Sequence, residues 1–227
     1  MLISNNEIEY LSKKCCLLKY IPYNTIVKEY DPNVSIKAKI LEEEGKLCSL
    51  FNNNSIYAIH YKSFLFENEN NDINTFFEKK YKSFYNQIKV NEPFYKVLVR
   101  ISSNPWSIHS HFDLDNNYLF VLYGSKQILI FDLDAFTENE EKELLNDTVN
   151  FNIKETEIYL KQREVSYETY KLEAGKLFYI PSGKYHKVEN DIKFPFTIML
   201  NCYTKTKNDN NLNEKFYTFW GNLTPNQ

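Results

Sequence analysis

Between about residue 95 and residue 203 the chain is written in short apolar, aromatic-rich runs broken by polar or Gly/Pro turns. No other feature narrows the fold as far. Residues 95–101, 118–123, 127–131, 177–180 and 197–203 are strand-length and favour residues that suit a pleated, half-buried surface. Tyr (18) and Phe (17) supply that bulk, against only 5 Gly. The acidic stretch 134–147 predicts one helical insertion, 150–170 reads as a charged connection, and strands resume near 170. Strands and helices do not alternate regularly, which excludes a parallel α/β sheet. The expectation is a mainly β fold, a double-stranded β-helix (jelly roll) with flanking helices. With 227 residues the chain suffices for one domain. Residues 1–50 read as an N-terminal lead-in and 95–205 as the barrel core. Within and after the lead-in, the pattern predicts a strand at 16–22, a helix over 35–51, a strand at 55–61 and a helical or mixed segment at 74–88.

Inside the strand-rich region lie His111-Phe112-Asp113 and, seventy-five positions after the first of them, His186. On a strand, residues two apart face the same way, so His111 and Asp113 can chelate one ion. Residues 173–188 predict a Gly175 turn, an apolar strand, a turn at Pro181-Ser182-Gly183, and a strand opened by His186. Two imidazoles and one carboxylate on one side of a metal leave its other side open, the arrangement of non-haem Fe(II) oxygenases. The four histidines are at 60, 109, 111 and 186. A His109–His111 pair would lack the carboxylate, so His111 and Asp113 are preferred; His60 has no assignable partner, and Asp115 reads as a turn residue.

These residues resemble the JmjC and cupin-like Fe(II)/2-oxoglutarate oxygenases. That family has an Asn six residues after the first His and a Lys fifteen after it, positions held here by Asn117 and Lys126. It also has an Ala-Gly turn before an apolar strand ending in Pro, matched at residues 174–181, and an Asn fifteen after the late His, matched by Asn201. Within the family the tRNA wybutosine-synthesis hydroxylases look most similar, through Arg100-Ile101-Ser102-Ser103, Leu172-Glu173-Ala174-Gly175 and Trp220-Gly221-Asn222-Leu223-Thr224-Pro225.

The resemblance implies Fe(II) held by His111, Asp113 and His186, with 2-oxoglutarate filling two of the remaining positions and O2 the third. Oxidative decarboxylation of the oxo acid would be coupled to hydroxylation of a substrate C–H bond. Lys126 would meet the far carboxylate of 2-oxoglutarate, since a buried ammonium is costly unless matched by an anion. Tyr57 would add a hydroxyl to that carboxylate. Asn117 and Asn201 would hydrogen-bond the co-substrate or an iron ligand. Two departures stand out: Lys184 replaces one of the two aromatics before the late His, and Ile108 stands where several relatives carry a Thr that helps hold the oxo acid.

A net charge of −3 counts against an extended nucleic-acid footprint, although Lys79, Lys80 and Lys82 cluster, as do Lys205 and Lys207. Cys15, Cys16, Cys48 and Cys202 lack metal spacing and read as free thiols in a reducing compartment, cytoplasmic or nuclear. The N-terminus lacks the apolar core of a signal peptide, and no stretch nears eighteen apolar residues, so no membrane partner is expected. The substrate stays open between a wybutosine-type tRNA base, a protein side chain and a methylated histone lysine. A non-catalytic cupin-like binding module is the reading from another class, and it would be favoured by loss of a metal ligand. A homodimer is also left open.

Overall fold

The computed structural model describes residues 2–10, 25–29, 39–40, 57–61, 72–88, 93–103, 107–148, 151–194 and 196–206, with 25–29, 39–40, 57–61, 72–74, 101 and 103 described by backbone. A short helix α1 (residues 5–10) precedes strands β1 (Thr25–Glu29), β2 (Lys39–Ile40) and β3 (Tyr57–Tyr61) and helix α2 (Asp72–Tyr85). Strands β4 (Lys96–Ser103), β5 (Ser107–His111), β6 (Asn116–Tyr123) and β7 (Ser125–Phe131) follow. Helices α3 (Glu138–Asp147) and α4 (Ile153–Gln162) lead to β8 (Tyr167–Glu173), β9 (Leu177–Ile180), β10 (Tyr185–Asn190) and β11 (Phe196–Thr204).

The strands form two antiparallel sheets, one of seven in the order β2-β1-β3-β4-β11-β6-β9 and one of four in the order β5-β10-β7-β8. The architecture is mainly β with flanking helices, as the pattern of short runs predicts. Strand alternation divides the side chains between three layers. On the outer face of the large sheet, Val97, Val99, Phe120, Leu122, Ile198, Leu200 and Cys202 pack with Phe77, Tyr81 and Phe84 of α2. On the outer face of the small sheet, Leu129 and Phe131 pack with Leu144 and Leu145 of α3 and Ile153 and Leu160 of α4. Between the sheets lies a third cluster of Leu119, Val121, Ile128, Leu172, Ile180, Val188 and Met199. Each fully buried side chain of this size contributes about 1.5–3 kcal/mol, so the helices are held by apolar burial and the inner layer can carry polar groups.

The structure departs from the sequence expectations in three places. The region 150–170 is not a plain connection: α4 starts behind the capping box of Asn152 and Glu155 and buries Ile153, Thr156 and Leu160, one face at helical spacing. The insertion is therefore two helices, and strands resume at Tyr167. In the expected helix 35–51, the described residues Lys39 and Ile40 are a strand paired with Glu29 and Lys28, cross-strand hydrogen bonding having overridden local propensity. Asp113 lies beyond the end of β5, so the chelating pair straddles a strand terminus. The expected strand at 16–22 lies outside the described residues, and among the described residues no helix is long and apolar enough to cross a membrane.

Candidate metal centre

β10 runs between β5 and β7, and this brings the two halves of the motif together. His186 is in register with His111 across one ladder and with Ile130 across the other. The β10–β5 register shifts between His186 and Val188, a bulge-type irregularity beside the site. The two imidazole centroids are 4.2 Å apart at an interplanar angle of 52°. Asp113 is placed by the turn after β5, where its carbonyl accepts from the Gly183 amide at 2.9 Å. Gly183 has φ +77°, so this turn needs a residue free to enter the left-handed region. Donor atoms of His111, Asp113 and His186 all lie within 4.8 Å of one another, and His186 Nε2 stands 3.8 Å from Asp113 Oδ2.

Both rings are oriented by backbone. His111 Nδ1 is 2.8 Å from the His109 carbonyl, and His186 Nδ1 is 2.9 Å from the Lys184 carbonyl. A carbonyl only accepts, so each Nδ1 carries the proton and each Nε2 presents a lone pair to the cluster. Burial holds His111 well below the ordinary imidazole range, with His186 and His109 adding to the effect. Burial lowers His186 too, against an opposing pull from Asp113. Neutral imidazoles are the form that ligates a metal. The carboxylate is held in turn: Asn117 Nδ2 donates to Asp113 Oδ2 at 2.8 Å, and Asn201 Nδ2 donates to Asn117 Oδ1 at 3.2 Å. Asn117 Nδ2 also approaches Tyr203 Oη at 3.4 Å, which Arg100 Nη2 approaches at the same distance. Two imidazoles and a carboxylate with hydrogen-bonded supports are a donor set that fits one divalent ion.

Lys126 is fully buried on β7, four residues along from Ile130 on the same inner face. Its ammonium donates to Asn190 Oδ1 at 2.6 Å and to Ser102 Oγ at 3.1 Å. Burial, and then Arg100, hold it well below the ordinary lysine range. Along β10 the inner face thus runs from His186 past Val188 to Asn190, which pairs with Lys126. Tyr57 begins β3 opposite Glu29, and its side chain lies outside the described residues. His60 pairs with Ile26 and Arg100 through the backbone. His109 stays out of the donor cluster, its ring 5.5 Å from that of His111. Asp115 accepts from Tyr95 Oη.

The profile of the cupin-like domain matches residues 31–210. The chain belongs to that family. The search of curated proteins finds no match. Among solved structures, this cupin-like chain is similar to oxalate decarboxylase of Bacillus subtilis, at 12% identity and a TM-score of 0.35 over 69% of this chain and 27% of that one. It is similar to Drosophila melanogaster CENP-C bound to CAL1, at 9% identity and TM-score 0.33 over 48% and 60%. A conserved protein of unknown function from Streptococcus pyogenes matches at 14% identity and TM-score 0.31 over 53% and 71%. The cupin-like chain thus spans about a quarter of the oxalate decarboxylase chain.

Both departures from the family pattern acquire a place. Lys184 turns its side chain to Asp132 and contributes its backbone carbonyl to His186, a role any residue can fill. Ile108 pairs with Val188 and packs against the inner apolar cluster. Asn190, Thr197 and Tyr203 escape a reading by motif, and Arg100 and Ser102 stand in a shared string that gives them no site role. The signal that could have found them is strand alternation, since Arg100 and Ser102 share a face of β4 while Thr197, Asn201 and Tyr203 share one of β11. Of the lysine cluster, Lys80 pairs with Glu7 at 2.8 Å and Lys82 with Glu78 at 2.7 Å. Lys205 lies over the Tyr95 ring.

Proposed function

We propose that this cupin-like protein is an Fe(II)- and 2-oxoglutarate-dependent hydroxylase. The carrying observation is that His111 and His186, each tied by Nδ1 to a backbone carbonyl, leave their Nε2 lone pairs to a donor cluster that Asp113 completes within 4.8 Å. His111, Asp113 and His186 would hold the metal, which when loaded supplies dioxygen activation driven by decarboxylation of the oxo acid.

The inner face of β10 supports 2-oxoglutarate as the partner. It is polar at His186, apolar at Val188 beside Ile128, and polar again at Asn190 beside Lys126. Four residues of strand separate its ends, about 13 Å at 3.3 Å per residue. A short oxo acid charged at both ends and apolar in the middle matches that sequence of environments. Lys126 would receive the far carboxylate. Asn117, held by Asn201, would fix the Asp113 carboxylate. Arg100 Nε is buried without a hydrogen bond, and a guanidinium beside the metal cluster favours an anionic ligand.

The substrate to seek first is a wybutosine-type tRNA base. Its support is the shared strings at 100–103 and 172–175. Arg100 and Ser102 belong to the inner face, so what they share with the tRNA enzymes concerns the co-substrate end of the site.

The test is anaerobic titration of purified protein with Fe(II) and then 2-oxoglutarate, following the weak visible charge-transfer band of the chelate. A band in the wild-type protein that is lost in Asp113→Ala supports the hydroxylase, and 2-oxoglutarate turnover with tRNA then tests the substrate. No band, with metal content at background, returns the protein to a non-catalytic cupin-like module.

A further inference from the structure

Two turns meet beside the metal cluster. The first, residues 112–115 between β5 and β6, carries Asp113. The second, residues 181–184 between β9 and β10, leads into His186 and supplies the Lys184 carbonyl that orients its ring. Hydrogen bonds join the two. The Gly183 amide donates to the Asp113 carbonyl at 2.9 Å. Ser182 Oγ donates to the Leu114 carbonyl at 2.6 Å, and the Ser182 amide donates to Asn116 Oδ1 at 3.1 Å. Asn116 Oδ1 is held in turn by Tyr179 Oη at 2.9 Å. The Leu114 carbonyl accepts a second hydroxyl, Thr206 Oγ1, at 2.8 Å. Thr206 stands two residues beyond β11, so it ties the first turn to the large sheet. Ser182 ties the same carbonyl to the turn that leads to His186.

The three metal ligands are not held alike. His111 and His186 face each other across the β5–β10 ladder, which fixes their separation. Asp113 lies beyond that ladder, so turn contacts decide how far its backbone stands from His186. Asn117 aims the Asp113 carboxylate, while Ser182 and Gly183 hold the main chain that carries it. Two bonds from one residue to acceptors at positions 114 and 116 fix a turn in orientation as well as distance, because a single bond would leave rotation about itself. The sequence marks residues 181–183 only as a turn, and a hydroxyl at 182 gives that turn its grip on the other.

We propose that Ser182 is a positioning residue for the metal: by spanning the two turns it sets the distance between the Asp113 carboxylate and the His186 imidazole. This rests on the metal ligation in the hydroxylase reading above and is independent of its co-substrate. Without the hydroxyl the first turn is still anchored by Thr206, but to the large sheet and no longer to its partner turn. The metal must then draw Asp113 and His186 together itself, and its affinity falls.

The two hydroxyls on the Leu114 carbonyl make the test. Ser182→Ala and Thr206→Val each remove one and leave the carbonyl with the other. Mn(II) binding is measured calorimetrically on the full chain, and the melting temperature of the metal-free protein is followed alongside. Ser182→Ala is expected to weaken Mn(II) about ten-fold, as loss of a support to a metal ligand does. Thr206→Val is expected to weaken it by less than about three-fold, the loss of an ordinary hydrogen bond remote from the partner turn. The two metal-free melting temperatures should fall by similar amounts. Ser182→Thr, which keeps the hydroxyl, should retain the wild-type affinity. Equal losses of affinity for Ser182→Ala and Thr206→Val, no loss for Ser182→Ala, or a Ser182→Thr protein as weak as Ser182→Ala would overturn the role of Ser182 while leaving the metal centre standing. Wild-type protein that binds no Mn(II) would overturn both.

Discussion

Asn117 and Asp113 are four positions apart, one in β6 and the other in the turn before it, and Asn117 Nδ2 donates to Asp113 Oδ2 at 2.8 Å. The amide aims the carboxylate at the histidines while its own oxygen is held by Asn201. Loss of such a support typically lowers metal affinity 10–100-fold. Asn117→Ala should weaken Mn(II) or Fe(II) binding by about that factor, read by metal titration. Asn117→Asp should weaken it further, because a second carboxylate replaces a donor with an acceptor.

The metal-free protein should lose stability in acid through its histidines. Burial holds His186 below and His111 well below the ordinary imidazole value, which in an unfolded chain is about 6.5. As pH falls past about 6.5 the unfolded chain takes up protons first, so stability drops until the depressed folded-state values are reached; above that window these groups contribute nothing. The melting temperature of metal-free protein should be flat from pH 7 to 8 and fall steadily from 6.5 to 5. His186→Ala should flatten that fall.

Lys187 acts with the same sign in an alkaline window. It is buried under α3 and α4 with its ammonium 3.3 Å from the Thr148 carbonyl, and burial pushes it down to about 8 despite Glu189 and Glu155. Between pH 8 and the unfolded value near 10.4 the unfolded chain holds more protons, so stability should rise with pH there. Lys187→Met should remove that rise and stabilise the protein at pH 7 by roughly 1–2 kcal/mol, measured by denaturant unfolding.

Gly124 makes the turn from β6 to β7 with φ +81°, and a Cβ there would lie 2.9 Å from both the Phe196 carbonyl oxygen and Thr197 Cγ2. Strain and collision act together, so Gly124→Ala should cost about 2 kcal/mol or more. Because Thr197 and Lys126 both donate to Asn190 Oδ1, binding of oxo acids by calorimetry should weaken alongside the melting temperature.

Three features were legible in the sequence: strand character from 95 to 203, the His111–Asp113 spacing, and the apolar strand and turn leading to His186. Each rests on local rules, namely alternation, turn chemistry and donor type. Helix α4 was equally legible, through Asn152, Glu155 and the spacing of Ile153, Thr156 and Leu160, but its charge obscured it.

What sequence alone could not decide is which distant strands become neighbours. His111 and His186 meet because β10 inserts between β5 and β7, and Lys126 meets Ser102, and Asn190 meets Thr197, because the two sheets face each other. Those pairings follow from burying three apolar layers at once, a condition on the whole chain that no single segment encodes. The residue types able to bind a metal and an anion were therefore set locally. Their orientation and their neutral imidazoles were decided by the packing of the sheets.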